Sequence, residues 1–239
     1  VDKYSVRQYI EDKIGRDYLI PLVGGPWNKF EDIDFDKLPD QFVLKCTHDS
    51  GGLVICTDKS KFDREVARKK IEHSLKRNFY WFGREWPYKN VPARIIAEKY
   101  MSEDKNDTES TFNEINGGLR DYKLYCFDGK VKLYLVTTDR SKGATTGDYF
   151  DEKNRHLDLI WGFPNAKTIP DVPNNIEKMK ELAEILAAGI PQLRVDFYCI
   201  HDKVYFGELT FFDGSGFDEI EQECYRDLLG DYIKLPTLV

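Results

Sequence analysis

Arg194, Asp196 and Glu208 lie on two apolar stretches, LRVDFYCI and VYFGELTFF, separated by His201-Asp202-Lys203. Alternating residues around a short polar break predict a β-hairpin. A three-residue loop pairs Ile200 with Val204, Tyr198 with Phe206, Asp196 with Glu208 and Arg194 with Thr210. The opposite face pairs Cys199 with Tyr205, Phe197 with Gly207, Val195 with Leu209 and Leu193 with Phe211, and is almost wholly apolar. A slip of one residue would turn that apolar face outward, so the register is self-consistent. It sets two carboxylates opposite each other, about 4.5–5.5 Å apart at Cβ, which destabilises a sheet unless a cation lies between them. Two cations fit the pattern equally. Mg²⁺ takes oxygen ligands, commonly one or two carboxylates plus phosphates, leaving Arg194 as a fixed cation for a phosphate or oxyanion. Alternatively, Arg194 itself forks between the acids as a structural ion pair.

Other residues could serve a phosphate ligand. Lys45, in VLKC, precedes His48-Asp49-Ser50-Gly51-Gly52. A lysine leaving a strand beside a glycine-containing turn can hold phosphates while free backbone N–H groups wrap them; an ordinary hairpin loop has the same composition. His48 reads as a loop residue. The run Ile95-Ile96-Ala97-Glu98-Lys99-Tyr100-Met101 reads as a buried strand whose end offers backbone groups to an adenine edge, or simply as a core strand leaving its sheet. Asp121, Lys123 and Asp139-Arg140 fall at the ends of another hairpin, at the surface or facing the same cleft.

The elements that must position these groups are legible from periodicity. Residues 2–15 space Tyr4, Val6, Tyr9, Ile10 and Ile14 helically, with Gly15 as a stop. A polar stretch with Pro26 follows, then strands FVLKC and LVICT joined by THDSGG. Residues 61–79 predict a helix with Val66, Ile71 and Leu75 inward, and residues 93–101 a strand. The acidic stretch from Ser102 to Gly118 predicts a loop. DYKLYCF and KVKLYLVTTD flank Asp128-Gly129, a type I′ hairpin signal. After an irregular segment at 142–173, Asn174-x-x-Glu177 predicts a capping box for a helix that ends at Gly189. Mixed helices and mostly antiparallel strands place the fold among α+β or mixed α/β classes.

Composition bounds the rest. The 239 residues are 41% hydrophobic and 32% charged, ordinary for a globular protein, and long enough for one large unit or two interlocked ones. A net charge of -7 disfavours nucleic-acid binding through bulk electrostatics. Five scattered cysteines without a CxxC pair, and no apolar run near the ~18 residues that span a bilayer, point to a soluble protein of the reducing cytoplasm.

Taken in order, VLK-x-x-x-x-SGG, EKYM, DYK, DR, RVD and GELT-x-x-x-x-SG resemble the motif series of ATP-grasp enzymes. DKYSVRQYI, VLKCTHDSGG, REWPYKN, PARIIAEKY, DYKLYCFDGK, RVDFY and YFGELTF more specifically resemble the TupA-like ATP-grasp family of capsule and cell-surface polysaccharide biosynthesis. The resemblance runs from Asp2 to about Leu235 and implies an α+β ATP-grasp fold, with two subdomains clasping ATP between them. It implies an N-terminal segment over 1–40, a subdomain with flap and adenine hinge over 41–101, and a metal-binding catalytic subdomain over 102–239.

The same resemblance implies roles for individual residues. Lys45 would bind ATP phosphates, with Ser50, Gly51 and Gly52 as the flap, and Glu98, Lys99, Tyr100 and Met101 would hold adenine. Asp196, Glu208 and Thr210 would bind Mg²⁺, Thr210 standing where many ATP-grasp enzymes have Asn. Arg194, Lys123 and Arg140 would act on the transferring phosphate. The implied reaction joins a small-molecule carboxylate to an amine through an acyl phosphate, on a sugar-linked acceptor and alongside polysaccharide-biosynthesis enzymes; apart from the resemblance, residues 141–165, with Arg155, His156 and Trp161, read as the stretch that meets the acceptor. Two other readings stand beside it. Asp32-Ile-Asp34 and Asp34-Phe-Asp36 are the DxD strings of a metal-dependent glycosyltransferase, although their polar surroundings read as a solvated loop. A non-catalytic nucleotide-binding subunit would bind Mg-ATP without turnover.

Overall fold

Strict alternation makes FVLKC a half-buried strand, and the computed structural model of the chain, which describes residues 1–102, 121–138 and 145–235, bears this out. The chain divides into two compact units, Val1–Asp12 with Leu19–Ser110 and Lys13–Tyr18 with Thr111–Val239.

The first unit holds a four-stranded antiparallel sheet of β1 (Leu22–Trp27), β2 (Phe42–Cys46), β3 (Leu53–Cys56) and β4 (Ile95–Lys99), in spatial order β1-β4-β2-β3. One face carries Phe42, Leu44, Cys46, Ile95 and Ala97. These pack with Phe30, Phe35 and Leu38 and with Ala67 and Ile71 of helix α2 (Arg64–Leu75). Burial of this face stabilises the unit at about 25 cal/mol per Å² of apolar surface removed from water. The other face carries Val43, Lys45, Ile96 and Glu98, since Val43 pairs with Glu98 and Lys45 with Ile96. The helix α1 (Val6–Lys13) opens the chain and buries Ile10 fully.

Two expectations here need correction. The inward stripe of α2 is Ala67, Ile71 and Ser74, whereas Val66 is 61% exposed. The i, i+4, i+7 row turns Val66 about 100° away from the core. The stretch around Pro26, read as polar and irregular, contains β1. An edge strand tolerates a proline because its N–H is not needed by a second neighbour, and β1 pairs with β4 alone, through two register irregularities.

The second unit holds a six-stranded antiparallel sheet in the order β10-β9-β5-β6-β7-β8. Its strands are β5 (Asp121–Phe127), β6 (Lys130–Thr138), β7 (Thr146–Asp151), β8 (His156–Leu157), β9 (Gln192–Ile200) and β10 (Lys203–Thr210). Strands β7 and β8 emerge from the segment read as irregular. Helix α4 (Ile176–Ala187) buries Ile176, Met179, Leu182, Ala183 and Leu186 and contacts β5, β6 and β9. (A one-turn α3, Tyr80–Gly83, belongs to the first unit.) On the other face Tyr125, Phe127, Leu133, Leu135 and Tyr149 pack with Leu159 and with Leu229 of helix α5 (Glu223–Asp231).

The capping box at Asn174 is not formed. Asn175 occupies the N-cap without a side-chain cap bond, because its amide donates to the Asp202 carbonyl at 2.7 Å, tying α4 to the β9–β10 turn. Glu177 accepts from Lys180 Nζ at 2.8 Å and Asn154 Nδ2 at 3.0 Å.

The β9–β10 turn is also shorter than the loop length predicts. Lys203 pairs with Ile200, and His201 and Asp202 form a two-residue turn with φ of 49° and 60°, the left-handed pair of a type I′ hairpin. Cys199 therefore faces Val204, Tyr198 faces Tyr205 and Phe197 faces Phe206, which corrects the expected pairs near the turn. Phe211 lies beyond β10, so it has no pair with Leu193. A bulge between Phe206 and Glu208 then absorbs Gly207 and restores the register: Asp196 faces Glu208, Val195 faces Leu209 and Arg194 faces Thr210.

Candidate functional site

Period-two geometry puts Lys123, Tyr125, Arg194, Asp196, Glu208 and Thr210 on one face of the second unit's sheet, because Lys123 pairs with Asp196 and Tyr125 with Arg194. Both ways of separating the opposed acids begin from the same geometry, and Arg194 does fork between them. Its Nε and Nη2 donate to Asp196 Oδ1 and Oδ2 at 2.7 and 2.9 Å, and Nη2 also donates to Glu208 Oε1 at 2.9 Å. The remaining Nη1 donates to Asp213. Lys123 Nζ donates to Asp196 Oδ2 at 2.7 Å and lies 3.4 Å from Asp121. Thr210 Oγ1 donates to Glu208 Oε1 at 2.9 Å.

Electrostatics follow from burial. Burial by itself would raise the carboxyl of Asp196, but the charges of Lys123 and Arg194 outweigh it and hold the group below the ordinary range. Burial likewise opposes the charge on Lys123, yet Asp196 and Asp121 raise its pKa. The guanidinium of Arg194 is held charged by Asp196 and Asp213 against its desolvation. Burial pushes the Tyr125 phenol well above its usual value, so it stays a proton donor at neutral pH.

Among the described residues, Lys123 and Arg194 meet four carboxylates, those of Asp121, Asp196, Glu208 and Asp213. The side chain of Glu208 is 40% exposed, against 4% for Asp196, so it is the acid that solvent reaches. Among the described residues no three His, Cys, Asp or Glu side chains form a metal cluster. Mg²⁺ needs only one or two carboxylates with water and phosphate oxygens, and the hard oxygens of Asp196, Glu208 and Thr210 fit it.

Asp213 was not among the sequence candidates. It enters from the string Asp213-Gly214-Ser215-Gly216 after β10, where Gly214, Ser215 and Gly216 have φ of 51°, 56° and 78° and turn the chain back. A left-handed run just past Glu208 was the available signal. Tyr125 was readable as a face-mate of Lys123 two residues away, yet its partner Asp213 lies 88 positions further on, at 2.5 Å.

In the first unit Lys45 Nζ donates to Glu98 Oε2 at 2.6 Å, and Arg7 Nη1 to Glu98 Oε1 at 3.0 Å. Both carboxylate oxygens of Glu98 are thus engaged by cations. Lys99 is exposed and donates its backbone N–H to Pro21, while Tyr100 and Met101 are half-buried beyond the strand end.

The loop between β2 and β3 is anchored through Asp49 and His48 and exposed at its tip. Asp49 is buried and accepts from Ser74 Oγ and Arg77 Nη2. His48 points its Nε2 at the carbonyls of Ser74 and Arg77, 3.1 and 3.2 Å away, which assigns it an anchoring place. Ser50 and Gly51 are exposed. Gly51 needs its φ of +84°, and a Cβ on Gly52 would sit 2.1 Å from Ser74 Oγ, so the two glycines answer different demands.

Arg140 and Asp139 lie outside the described residues, as do residues 103–118 of the acidic stretch. The DxD acids act in turns: Asp34 accepts from Asp36 N and pairs with Lys37 at 2.9 Å, and Asp32 accepts from Lys29 N at 3.2 Å. Arg155 pairs with Asp151 at 2.6 Å, His156 with Asp148 at 2.9 Å, and the Trp161 ring lies 4.9 Å from that of Tyr125. Among the described residues no helix is long and apolar enough to cross a membrane.

The fold defines an ATP-grasp protein. D-alanine–D-alanine ligase from Helicobacter pylori aligns with a TM-score of 0.52 at 16% identity, over 100% of this chain and 59% of its own, a likeness of fold alone. D-alanine–D-alanine ligase from Bacillus anthracis complexed with ATP (TM-score 0.46, 15% identity, 86% of this chain and 53% of that one) is a weaker match. So is L-amino acid ligase from Bacillus licheniformis (TM-score 0.48, 15% identity, 88% and 43%). The chain thus spans between two-fifths and three-fifths of these structures. A family model described as TupA-like ATPgrasp matches residues 1–234, and the chain belongs to that family. No curated protein matches it.

Proposed function

We propose that the chain is an ATP-dependent carboxylate–amine ligase, or the nucleotide-binding part of one, that forms an amide through an acyl phosphate. The observation that carries this reading is the array of Lys123, Arg194, Asp196 and Glu208 on one sheet face, with Asp196 buried and Glu208 within reach of solvent. In our reading Asp196, Glu208 and Thr210 hold Mg²⁺, which when bound would neutralise phosphate charge. Arg194 and Lys123, with Arg140, stabilise the transferring phosphoryl group electrostatically and hold it in place. Lys45 meets the phosphates, with the backbone N–H groups of Gly51 and Gly52 and the hydroxyl of Ser50, whose own N–H is held by Asp49 Oδ1 at 2.9 Å. Glu98 keeps the Lys45 ammonium in position, leaving the adenine edge to Lys99, Tyr100 and Met101.

In the first step a carboxylate oxygen of the substrate attacks the γ-phosphorus of ATP, the bond to the bridging oxygen breaks, and ADP leaves. In the second an amine nitrogen attacks the acyl carbon, inorganic phosphate leaves, and the amine loses a proton. The family resemblance supports a sugar-linked carboxylate of a cell-surface polysaccharide as acceptor, a cytoplasmic setting and association with enzymes of that pathway. The test is product analysis after incubation with ATP, uronic acid sugars and amino acids: ADP and phosphate in equal amounts support the proposal, and AMP with pyrophosphate would overturn it.

A further inference from the structure

The guanidinium of Arg194 has two working edges. The Nε and Nη2 edge faces Asp196 and Glu208, the two acids proposed to hold metal, at 2.7–2.9 Å. A cation bound by those acids competes with this edge for the same oxygens. The Nη1 corner points elsewhere, to Asp213 in the turn after β10. Asp213 is in turn held from behind: Tyr125 on β5 donates its hydroxyl to the second carboxylate oxygen, Oδ2, at 2.5 Å. Tyr125 is itself immobilised, 1% exposed and packed against the rings of Trp161 (4.9 Å) and Tyr149 (6.1 Å).

We propose that Tyr125 and Asp213 are positioning residues: they hold Arg194 by its Nη1 corner so that Asp196 and Glu208 can release the other edge to a divalent cation without losing the arginine from the site. The inference rests on the ligase reading's metal assignment and extends it to two residues outside that set. A guanidinium held only by the Asp196 bidentate pair must either block the cation or swing away when the cation arrives. With a third carboxylate on its far corner it does neither. The phenol of Tyr125 matters because it occupies Oδ2, which leaves Oδ1 aimed at Nη1.

The test is Mn²⁺ titration of the whole chain, followed by electron paramagnetic resonance of the free ion, so no turnover is needed. Asp213→Asn removes the charge that grips Nη1 and keeps an acceptor oxygen, whereas Tyr125→Phe keeps the charge and removes the hydrogen bond that holds Asp213 from behind. Asp196→Asn serves as the reference for the metal site, and melting in chelator checks the fold of each variant. We expect Asp213→Asn to weaken Mn²⁺ binding about tenfold, and Tyr125→Phe to weaken it about threefold, as one lost hydrogen bond would. Wild-type affinity in both variants, with binding lost in Asp196→Asn, overturns the anchor and leaves the metal site standing. Loss in Asp213→Asn without loss in Tyr125→Phe overturns the role of Tyr125 and reduces Asp213 to its charge. Unchanged binding in Asp196→Asn, or none in the wild type, overturns the metal assignment and this proposal with it.

Discussion

Replacing Arg194 by Met removes the cation on which Asp196, Glu208 and Asp213 converge. The three contacts are unequal. Glu208 is 40% exposed, so its bond is screened and contributes about 0–1 kcal/mol. Asp196 is 4% exposed and accepts two bonds from a side chain only 9% exposed. Removing one partner of such a buried pair costs about 3–5 kcal/mol, because the other charge is left without compensation. Lys123 still holds one oxygen of Asp196, which places the expected loss near the lower end, about 3 kcal/mol. For a protein of this size that is a fall in melting temperature of roughly 6–12 °C. The assay is thermal and urea unfolding in chelator and again in millimolar Mg²⁺. Because the variant leaves its carboxylates unneutralised, Mg²⁺ should restore more stability to Arg194→Met than it adds to the wild type. A loss below about 0.5 kcal/mol, within the range of surface substitutions, would refute the claim that the array is a buried and coupled one. An equal response of both proteins to Mg²⁺ would refute the competition between arginine and metal.

Two further outcomes follow from the geometry. Gly52→Ala places a Cβ 2.1 Å from Ser74 Oγ, whose hydroxyl is bound to buried Asp49; it should cost the first unit about 1–3 kcal/mol in urea unfolding, and a neutral result would mean that the loop root is loosely packed. The carboxyl of Asp196 is held below 3.8, so its stabilisation is present above that pH and is lost as the pH falls beneath it. Lys123→Met removes one of the charges that lower it and should therefore shift the acid unfolding limb, followed by near-ultraviolet circular dichroism, to higher pH. A limb that stays in place would show that Lys123 does not set the titration.

The hairpin that carries the array shows what sequence can and cannot disclose. Alternation along LRVDFYCI and VYFGELTFF identified both strands and their faces, because the apolar side had to be buried. Turn length was misjudged by one residue, since His201 and Asp202 adopt left-handed φ without a glycine. The bulge at Gly207 offset that error, which is why Asp196 still faces Glu208. The strand β1 was hidden by its own Gly24-Gly25-Pro26, a loop-like string that an edge position accepts. Val66 satisfied helical spacing for an inward stripe that belongs instead to Ala67 and Ile71. Asn174-x-x-Glu177 matched a capping pattern, but tertiary partners took the side chains: Asp202 for Asn175, Asn154 and Lys180 for Glu177. The same limit applies at the site. Periodicity placed Lys45 and Glu98 on strands that the register sets side by side. It could not show that the two pair with each other, or that Asp213 returns to Arg194 through a left-handed turn.

On the proposed reading, Asp196 and Glu208 hold a divalent cation for ATP. Isothermal titration of the wild type and Asp196→Asn with ATP, in Mg²⁺ and in chelator, tests it most directly. Mg²⁺-dependent ATP binding is expected in the wild type, and loss of that Mg²⁺ dependence in Asp196→Asn. Full Mg²⁺-dependent binding by the variant would contradict it.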